Sequence, residues 1–321
     1  MSSQPGGTGV SPAIETEGLT KRYGSTVALA GLSMTVPRGQ VFGFLGPNGA
    51  GKTTAVKLLL GLARPTGGTG RLLGAPLGDR SVRRQVGYLP ELFRYQAWLT
   101  ARDVLSLHAQ LVGIPPTSRS AEIAEALGSV ELADRAAGRV GTFSKGMQQR
   151  LGLAVALLGR PAVVILDEPT SALDPIGRLD VRAIIRRLRD QGTTVFLNSH
   201  LLGEVERVCD VVAIVDRGQV VAGGPLDDLL GVSTVRIRVT GLSIEARARL
   251  SVFGTPADEP PWLVVRGCPP ERVPDLVAAI VADGARIYAV DAGRETLEER
   301  FVELLARPAH PADGPPRRAA S

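Results

Sequence analysis

GPNGAGKT, residues 46–53, decides how the rest of this chain is read. It fits the pattern G-x-x-x-x-G-K-[ST], and it does so in the required context: the apolar run VFGFL precedes it and the helical stretch KTTAVKLLLGL follows from Lys52. Glycines let a backbone curl until successive N–H groups point inward, and such donors at a helix N-terminus hold phosphate oxygens. Gly46, Pro47, Asn48, Gly49, Ala50 and Gly51 are therefore candidate phosphate-loop residues. Lys52 is expected to reach the β- and γ-phosphates of a nucleotide, the Thr53 hydroxyl to face Mg²⁺, and Thr54 to add a phosphate contact. The competing reading is a chance glycine-rich turn between strand and helix, and the strand–loop–helix context argues against it.

A loop of this kind needs a carboxylate at the end of another buried strand to hold the metal. AVVILDEP, residues 162–169, supplies one: its apolar residues form the strand and Asp167 emerges at its end, with Glu168 next to it, placed to polarise an attacking water. A helix-cap or turn pair of carboxylates is the alternative. Between these motifs lies TFSKGMQQRLGL, residues 142–153. Met147, Leu151, Val155 and Leu158 recur near helical spacing, and Gly159, Arg160 and Pro161 form the stop. Ser144 reads as the N-cap, so this helix start also presents free N–H groups to an anion. The chain thus carries two phosphate-seeking helix starts far apart in sequence.

Composition sets the outer bounds. The chain has 321 residues, 44% of them hydrophobic, enough for one large domain or a large and a small one. No apolar run approaches the roughly 18–20 residues of a membrane span, and the leader MSSQPGGTGVSP lacks the apolar core of a signal peptide. Cys209 and Cys268 have no metal or redox spacing and read as free thiols in a reducing compartment. The net charge of +5 is carried almost wholly by arginine, the only lysines being Lys21, Lys52, Lys57 and Lys145. That balance permits an acidic membrane surface or nucleic acid as partner and decides neither.

Four regions separate along the chain. Residues 1–12 read as a disordered leader, and 13–231 alternate short apolar runs with helical stretches, as in an α/β domain. Within the latter, 88–160 are dominated by helical patterns and read as an insert. Residues 232–306 read as a small α+β domain, with strand candidates VRIRV and WLVVR followed by helix, turn and strand in PDLVAAIVADGARIYAV. Its last helix should stop before Pro308, and 307–321 read as a Pro-rich disordered tail.

GPNGAGKT, SKGMQQR, ILDEP, SALD and NSH, in this order, resemble the nucleotide-binding domain of ATP-binding cassette (ABC) proteins. The resemblance implies a P-loop α/β fold with a helical insert, ATP and Mg²⁺ as ligands, and ATP hydrolysis. It places FSKGM where the family's signature loop usually reads LSGGQ, keeping Ser144 and Gly146 but departing at Lys145 and Met147. It further implies two such domains packed head to tail, as a homodimer or with a second ABC ATPase. The signature helix of one then faces the P-loop of the other, which accounts for the second anion-seeking helix start.

Further positions follow from the same resemblance. Tyr23 stands where an aromatic ring stacks on adenine, His200 where an imidazole contacts the γ-phosphate, and Asp174 where an aspartate works across the dimer seam. The bland readings are a half-buried strand-end tyrosine, a structural histidine and a turn aspartate. After VGYLP the family usually has a metal-touching glutamine, and this chain has Glu91. Two readings compete there: a hard oxygen ligand for the metal, as in some exporter-type members, or an exposed glutamate with no metal role. Leu92, Phe93, Tyr95 and Trp98 either dock a partner or pack under the insert's own helices. Arg182, Arg186, Arg187 and Arg189 read as a solvated helix face, and no nucleic-acid partner is expected.

The expected function is that of an ATP-hydrolysing subunit, peripheral on the cytoplasmic face of the membrane, powering a transporter whose spanning part is a separate permease chain. Glu91 and the C-terminal sequence AVDAGRETLEERFVELLAR resemble ATPases of drug, antibiotic, lipid or polysaccharide exporters. Importer ATPases are the near alternative. A soluble family member acting on ribosomes or DNA is disfavoured by the single P-loop and the lack of a heptad run.

Overall fold

The computed structural model describes residues 11–171, 173–230, 233–293 and 296–306. The expected disorder of residues 1–10 and 307–321 lies outside the described residues. The chain divides between Leu229 and Leu230 into two compact units.

In the first unit, two long strands, β1 (Ile14–Tyr23) and β2 (Thr26–Val36), lead into the short strand β3 (Val41–Leu45) and the helix α1 (Lys52–Leu59). Strands β4 (Gly67–Leu72), β5 (Ala75–Pro76) and β6 (Val86–Leu89) follow, then helices α2 (Ala101–Val112), α3 (Pro116–Ser129) and α4 (Lys145–Leu157). The unit continues with β7 (Val163–Asp167), α5 (Pro175–Asp190), β8 (Thr194–Asn198), α6 (Leu202–Val208), β9 (Val211–Asp216), β10 (Gln219–Pro225) and the short α7 (Leu226–Leu229). The central sheet has the order β10-β9-β3-β8-β7-β6. Its pairings are parallel from β6 to β9, and β10 adds an antiparallel edge. A second sheet, β2-β1-β4-β5, is antiparallel.

Parallel strands linked by crossover helices are buried on both faces, so they read as unbroken apolar runs. VFGFL in β3 and VVIL in β7 obey this, and every residue of β3, β7 and β8 is buried. One core cluster joins the two sheets through α1, whose Ala55, Val56, Leu58 and Leu59 pack between them. At its centre Phe196 stacks on Phe42 with ring centroids 5.6 Å apart and tilts against Phe44 at 5.3 Å. These three rings fix the spacing of β3 and β8, the strands that lead into the P-loop and into NSH.

The insert is helical, as expected, with α2 held by a capping box between Thr100 and Asp103. Of the arginines of α5, Arg186 and Arg187 are exposed as expected of a solvated face, Arg189 is half-buried, and Arg182 departs from it. Arg182 is buried, with Nε 3.3 Å from Glu204 Oε2 on α6. The apolar stripe of Val181, Ile184, Ile185 and Leu188 lays α5 on the sheet and carries residue 182 inward against α6. Arg186, Arg187 and Arg189 are spent on Arg207 O, Ser129 O and Asp210.

The second unit contains β11 (Thr234–Thr240), α8 (Ile244–Arg249), β12 (Thr255–Glu259), β13 (Trp262–Arg266), α9 (Val273–Ala282), β14 (Arg286–Gly293) and α10 (Leu297–Ala306). Its sheet is antiparallel throughout, in the order β12-β13-β11-β14. This βαββαβ chain path interlocks two split βαβ units, a ferredoxin-like arrangement. Val235, Ile237, Leu263 and Val265 form its core with Leu276 and Ile280 of α9. Strand β12, TPADE, carries no apolar alternation, and its proline is tolerated because it lies at a sheet edge.

Truncating Phe196 to alanine should cost about 3–5 kcal/mol of unfolding free energy, the usual range for a fully buried ring. Denaturant unfolding of the purified chain measures this, and a loss below about 1 kcal/mol would contradict the central role given to the ring stack.

Candidate active site

The sheet's parallel strands all end at the same edge, where ligands of α/β folds collect. The chain leaves β3 at Gly46, where a Cβ would fall 2.3 Å from the Val215 carbonyl oxygen, so no side chain fits. It enters α1 through Gly51, whose φ of 99° is in the left-handed region and whose Cβ would meet Ala28 O at 2.4 Å. The loop between is pinned from outside by Gly218 N–H, which donates to Ala50 O at 2.9 Å. Asn48 and Gly49 are exposed and Ala50 is buried.

Lys52 is buried at the first turn of α1. Its Nζ donates to Gly46 O at 2.6 Å and Pro47 O at 3.2 Å. Desolvation holds its pKa below the usual lysine value, and the nearby carboxylates of Glu168, Asp167 and Glu91 work against that shift. Thr53 is exposed and Thr54 half-buried on the same turn.

Asp167 ends β7 and is only 5% exposed. Burial raises its pKa, and the hydrogen bond from Asn198 opposes that rise: Nδ2 donates to Asp167 Oδ1 at 2.5 Å. Glu91 and Glu168 also raise it, so Glu91, although exposed, lies within electrostatic reach of Asp167. Tyr88 is pushed up by burial and then by the same Asp167 and Glu91 charges.

Glu168 is buried with φ at 51°, a left-handed backbone that costs a residue with a Cβ about 1 kcal/mol or more. Its N–H donates to Asn198 O at 2.9 Å, and its Oε1 lies 2.8 Å from His200 Nδ1. Ser199 Oγ is 3.4 Å from Oε2. The His200 side chain is half-exposed, so Glu168 is gripped from the protein side while the imidazole faces solvent. A buried lysine, a buried aspartate and a left-handed glutamate bonded to a histidine, around a glycine-rich loop, make an arrangement able to support phosphoryl transfer to water.

Comparison with known proteins agrees. The ABC transporter family matches residues 29–171. An uncharacterised ABC transporter ATP-binding protein of Nostoc sp. (strain PCC 7120) is 43% identical over 285 residues, covering 88% of this chain and 84% of that protein. The chain belongs to the ABC transporter ATP-binding subunits. The daunorubicin/doxorubicin resistance ATP-binding protein DrrA of Streptomyces peucetius is 34% identical over 327 residues, covering 98% of this chain and 96% of its own. A solved structure described as the ATP binding subunit of an ABC transporter superposes with a TM-score of 0.61 at 32% identity, covering 68% of this chain and 91% of that one. The protein is thus an ABC ATPase that binds ATP, and its site can be described as one.

The other expected site residues stand apart from the Lys52–Asp167–Glu168–His200 group. Ser144 is the N-cap of α4, its Oγ accepting from Met147 N at 3.2 Å, and Gly146 lies in the same turn. Asp174 is the N-cap of α5, with Oδ1 accepting from Gly177 N at 2.7 Å. Among the described residues no hydrogen bond or ion pair joins Ser144, Gly146 or Asp174 to that group. Tyr23 is half-exposed at the end of β1, with Lys21 Nζ 4.9 Å from its ring centroid.

The aromatic loop after Glu91 divides in two. Phe93 and Tyr95 turn inward, 5.4 Å apart, and Tyr95 meets His108 of α2 edge-on at 5.8 Å. Burial pushes the Tyr95 hydroxyl up to about 12. Phe93 lies over Gly152 of α4, where a Cβ would fall 2.6 Å from Phe93 Cζ and 2.7 Å from Leu89 Cδ1. Leu92 and Trp98 are instead 88% and 70% exposed. The packing reading therefore holds for Phe93 and Tyr95, while Leu92 and Trp98 remain exposed.

Replacing Asp174 with alanine removes a helix cap and should cost about 1 kcal/mol of stability in the nucleotide-free chain. Thermal unfolding without nucleotide measures it. An unchanged midpoint would show that the cap contributes nothing to the fold.

Proposed function

We propose that this ABC ATPase hydrolyses Mg²⁺-bound ATP in a head-to-tail dimer and thereby powers an exporter whose membrane-spanning part is a separate chain. The observation that carries the export reading is the match to DrrA over nearly the whole of both chains, C-terminal unit included. The bacitracin transport protein BcrA of Bacillus licheniformis, 40% identical over 68% of this chain, and a Nod factor export protein of Burkholderia orbicola, 38% identical over 66%, point the same way. Among the described residues no helix is long and apolar enough to cross a membrane. Leu92 and Trp98, exposed in the loop after Glu91, are the surface we assign to the separate permease chain, with the subunit peripheral on the cytoplasmic face of the membrane as part of the same proposal.

The residues divide the work as follows. The loop 46–51 and Lys52 hold the phosphates, and Tyr23 stacks on the adenine. Glu168 takes a proton from the attacking water, and His200, bonded to it, orients it and contacts the γ-phosphate. Asp167, Thr53 and Glu91 offer hard oxygen donors, which fit Mg²⁺. When bound, Mg²⁺ neutralises charge on the phosphate oxygens. Ser144 and Gly146 at the start of α4, with Asp174, complete the site of the other copy.

Glutamine at position 168 keeps the shape and removes the base, so Glu168→Gln should bind ATP normally and hydrolyse it about 10²–10⁴-fold more slowly. Steady-state ATPase and equilibrium binding on one preparation check this, and a normal turnover would remove Glu168 from the role. In that slowed background ATP should drive dimerisation. Ser144→Arg should abolish it, because a bulky cation fills the space where γ-phosphate meets the α4 N-terminus. Analytical ultracentrifugation with and without ATP decides: ATP-driven dimers that survive the change would mean Ser144 is a helix cap alone.

A further inference from the structure

Asn198 ends strand β8, directly opposite Asp167 in the parallel pairing with β7 and beside Phe44 in the pairing with β3. It therefore stands between the strand that leads into the P-loop and the strand that carries the metal carboxylate. The rest of its row is apolar: Phe196 two residues earlier, Ile165 on β7, and Phe42 and Phe44 on β3. Asn198 is 2% exposed. An amide buried in such a row costs about 1–3 kcal/mol for each end left unbonded, so it needs a reason.

One end has its partner in Asp167 Oδ1. Chemistry assigns the orientation of the amide, because an ionised carboxylate only accepts, and the atom against it must be the NH₂ group. Asn198 Oδ1 is then buried without a partner among the described residues. The side chain combines a donor locked to the metal carboxylate with a spare acceptor next to it. Leucine would fill the same volume without either function. Aspartate would set a second negative charge against the first.

We propose that Asn198 is a positioning residue for the metal: Nδ2 fixes the Asp167 carboxylate by one oxygen, and Oδ1 accepts from a water of the Mg²⁺ shell. This rests on the assignment of Asp167 to the metal under the proposed function. It extends that assignment to a residue that touches neither nucleotide nor cation directly. Outer partners of metal ligands act by holding the ligand's orientation, and removing one commonly weakens the metal's effect about 10–100-fold.

The test uses the full-length chain, wild type, Asn198→Leu and Asn198→Ser. A fluorescent ATP analogue is titrated in EDTA and again in Mg²⁺, and the Mg²⁺ concentration for half-maximal ATPase is measured at fixed ATP. In Asn198→Leu, binding in EDTA should stay within about twofold of wild type while the Mg²⁺ requirement rises about 10-fold or more. Serine keeps a hydroxyl that both donates and accepts, so Asn198→Ser should recover most of the loss, and where the leucine variant does not fold, Asn198→Ala, which removes both ends of the amide without adding bulk, takes its place in the same titrations. An unchanged Mg²⁺ requirement in both variants overturns the proposal. So does weakened binding in EDTA by folded variants, which would make Asn198 a packing residue. If the wild type binds the analogue in neither condition, the reading of the site as an ATPase centre falls instead.

Discussion

A carboxylate can end an apolar strand inside a protein only where donors replace the water it gives up. Asp167 sits under that constraint, and much of the first unit is arranged around it. Its strand lies between β6 and β8 in the interior of the sheet, so its neighbours must be supplied by other strands. Asn198 supplies a donor from β8, and Lys52 supplies positive charge from the helix that follows β3. The ring stack of Phe42, Phe44 and Phe196 sets the distance between the strands that deliver them. The lysine and the aspartate are each costly to bury alone, and each lowers the cost of burying the other.

The same edge of the sheet holds Glu168, whose left-handed backbone is strained for a residue with a Cβ. Glu168 follows Asp167 immediately, and a regular backbone would send its side chain elsewhere. A left-handed φ turns the chain sharply, and the bond from its N–H to Asn198 O holds the turn. Asn198 thus serves both carboxylates, one through its side chain and one through its main chain. Strain of this kind persists when the surroundings over-determine the conformation. Here three groups do so: the Asn198 carbonyl, the His200 imidazole and the Ser199 hydroxyl.

The parts of the site that were legible in the sequence are those whose requirements are local. GPNGAGKT needs its glycines, lysine and threonine within one turn of chain, and ILDEP needs a carboxylate at the end of an apolar run. The Ser144 cap at the start of α4 was readable for the same reason, since its partner is three residues away. Asn198, Arg182 and the division of the aromatic loop were not readable, because each depends on a neighbour brought close by another element. A signal for Asn198 did exist: a polar residue closing TVFL where an apolar one would pack without cost. Strand β12 was hidden because TPADE pairs through its backbone at an edge and owes little to its side chains. Its sheet was legible only where VRIRV, WLVVR and RIYAV carried the pattern.

The contact between Phe93 and Gly152 ties the loop after Glu91 to the helix capped by Ser144. No Cβ fits beneath the ring as it stands, so the two positions share one fixed volume. A lineage of such proteins could therefore not drift freely at either site. A larger residue at 152 would need room from two directions at once, from the Phe93 ring and from Leu89 at the end of β6, whose Cδ1 would lie 2.7 Å from the new Cβ, so its cost depends on two other positions of the chain.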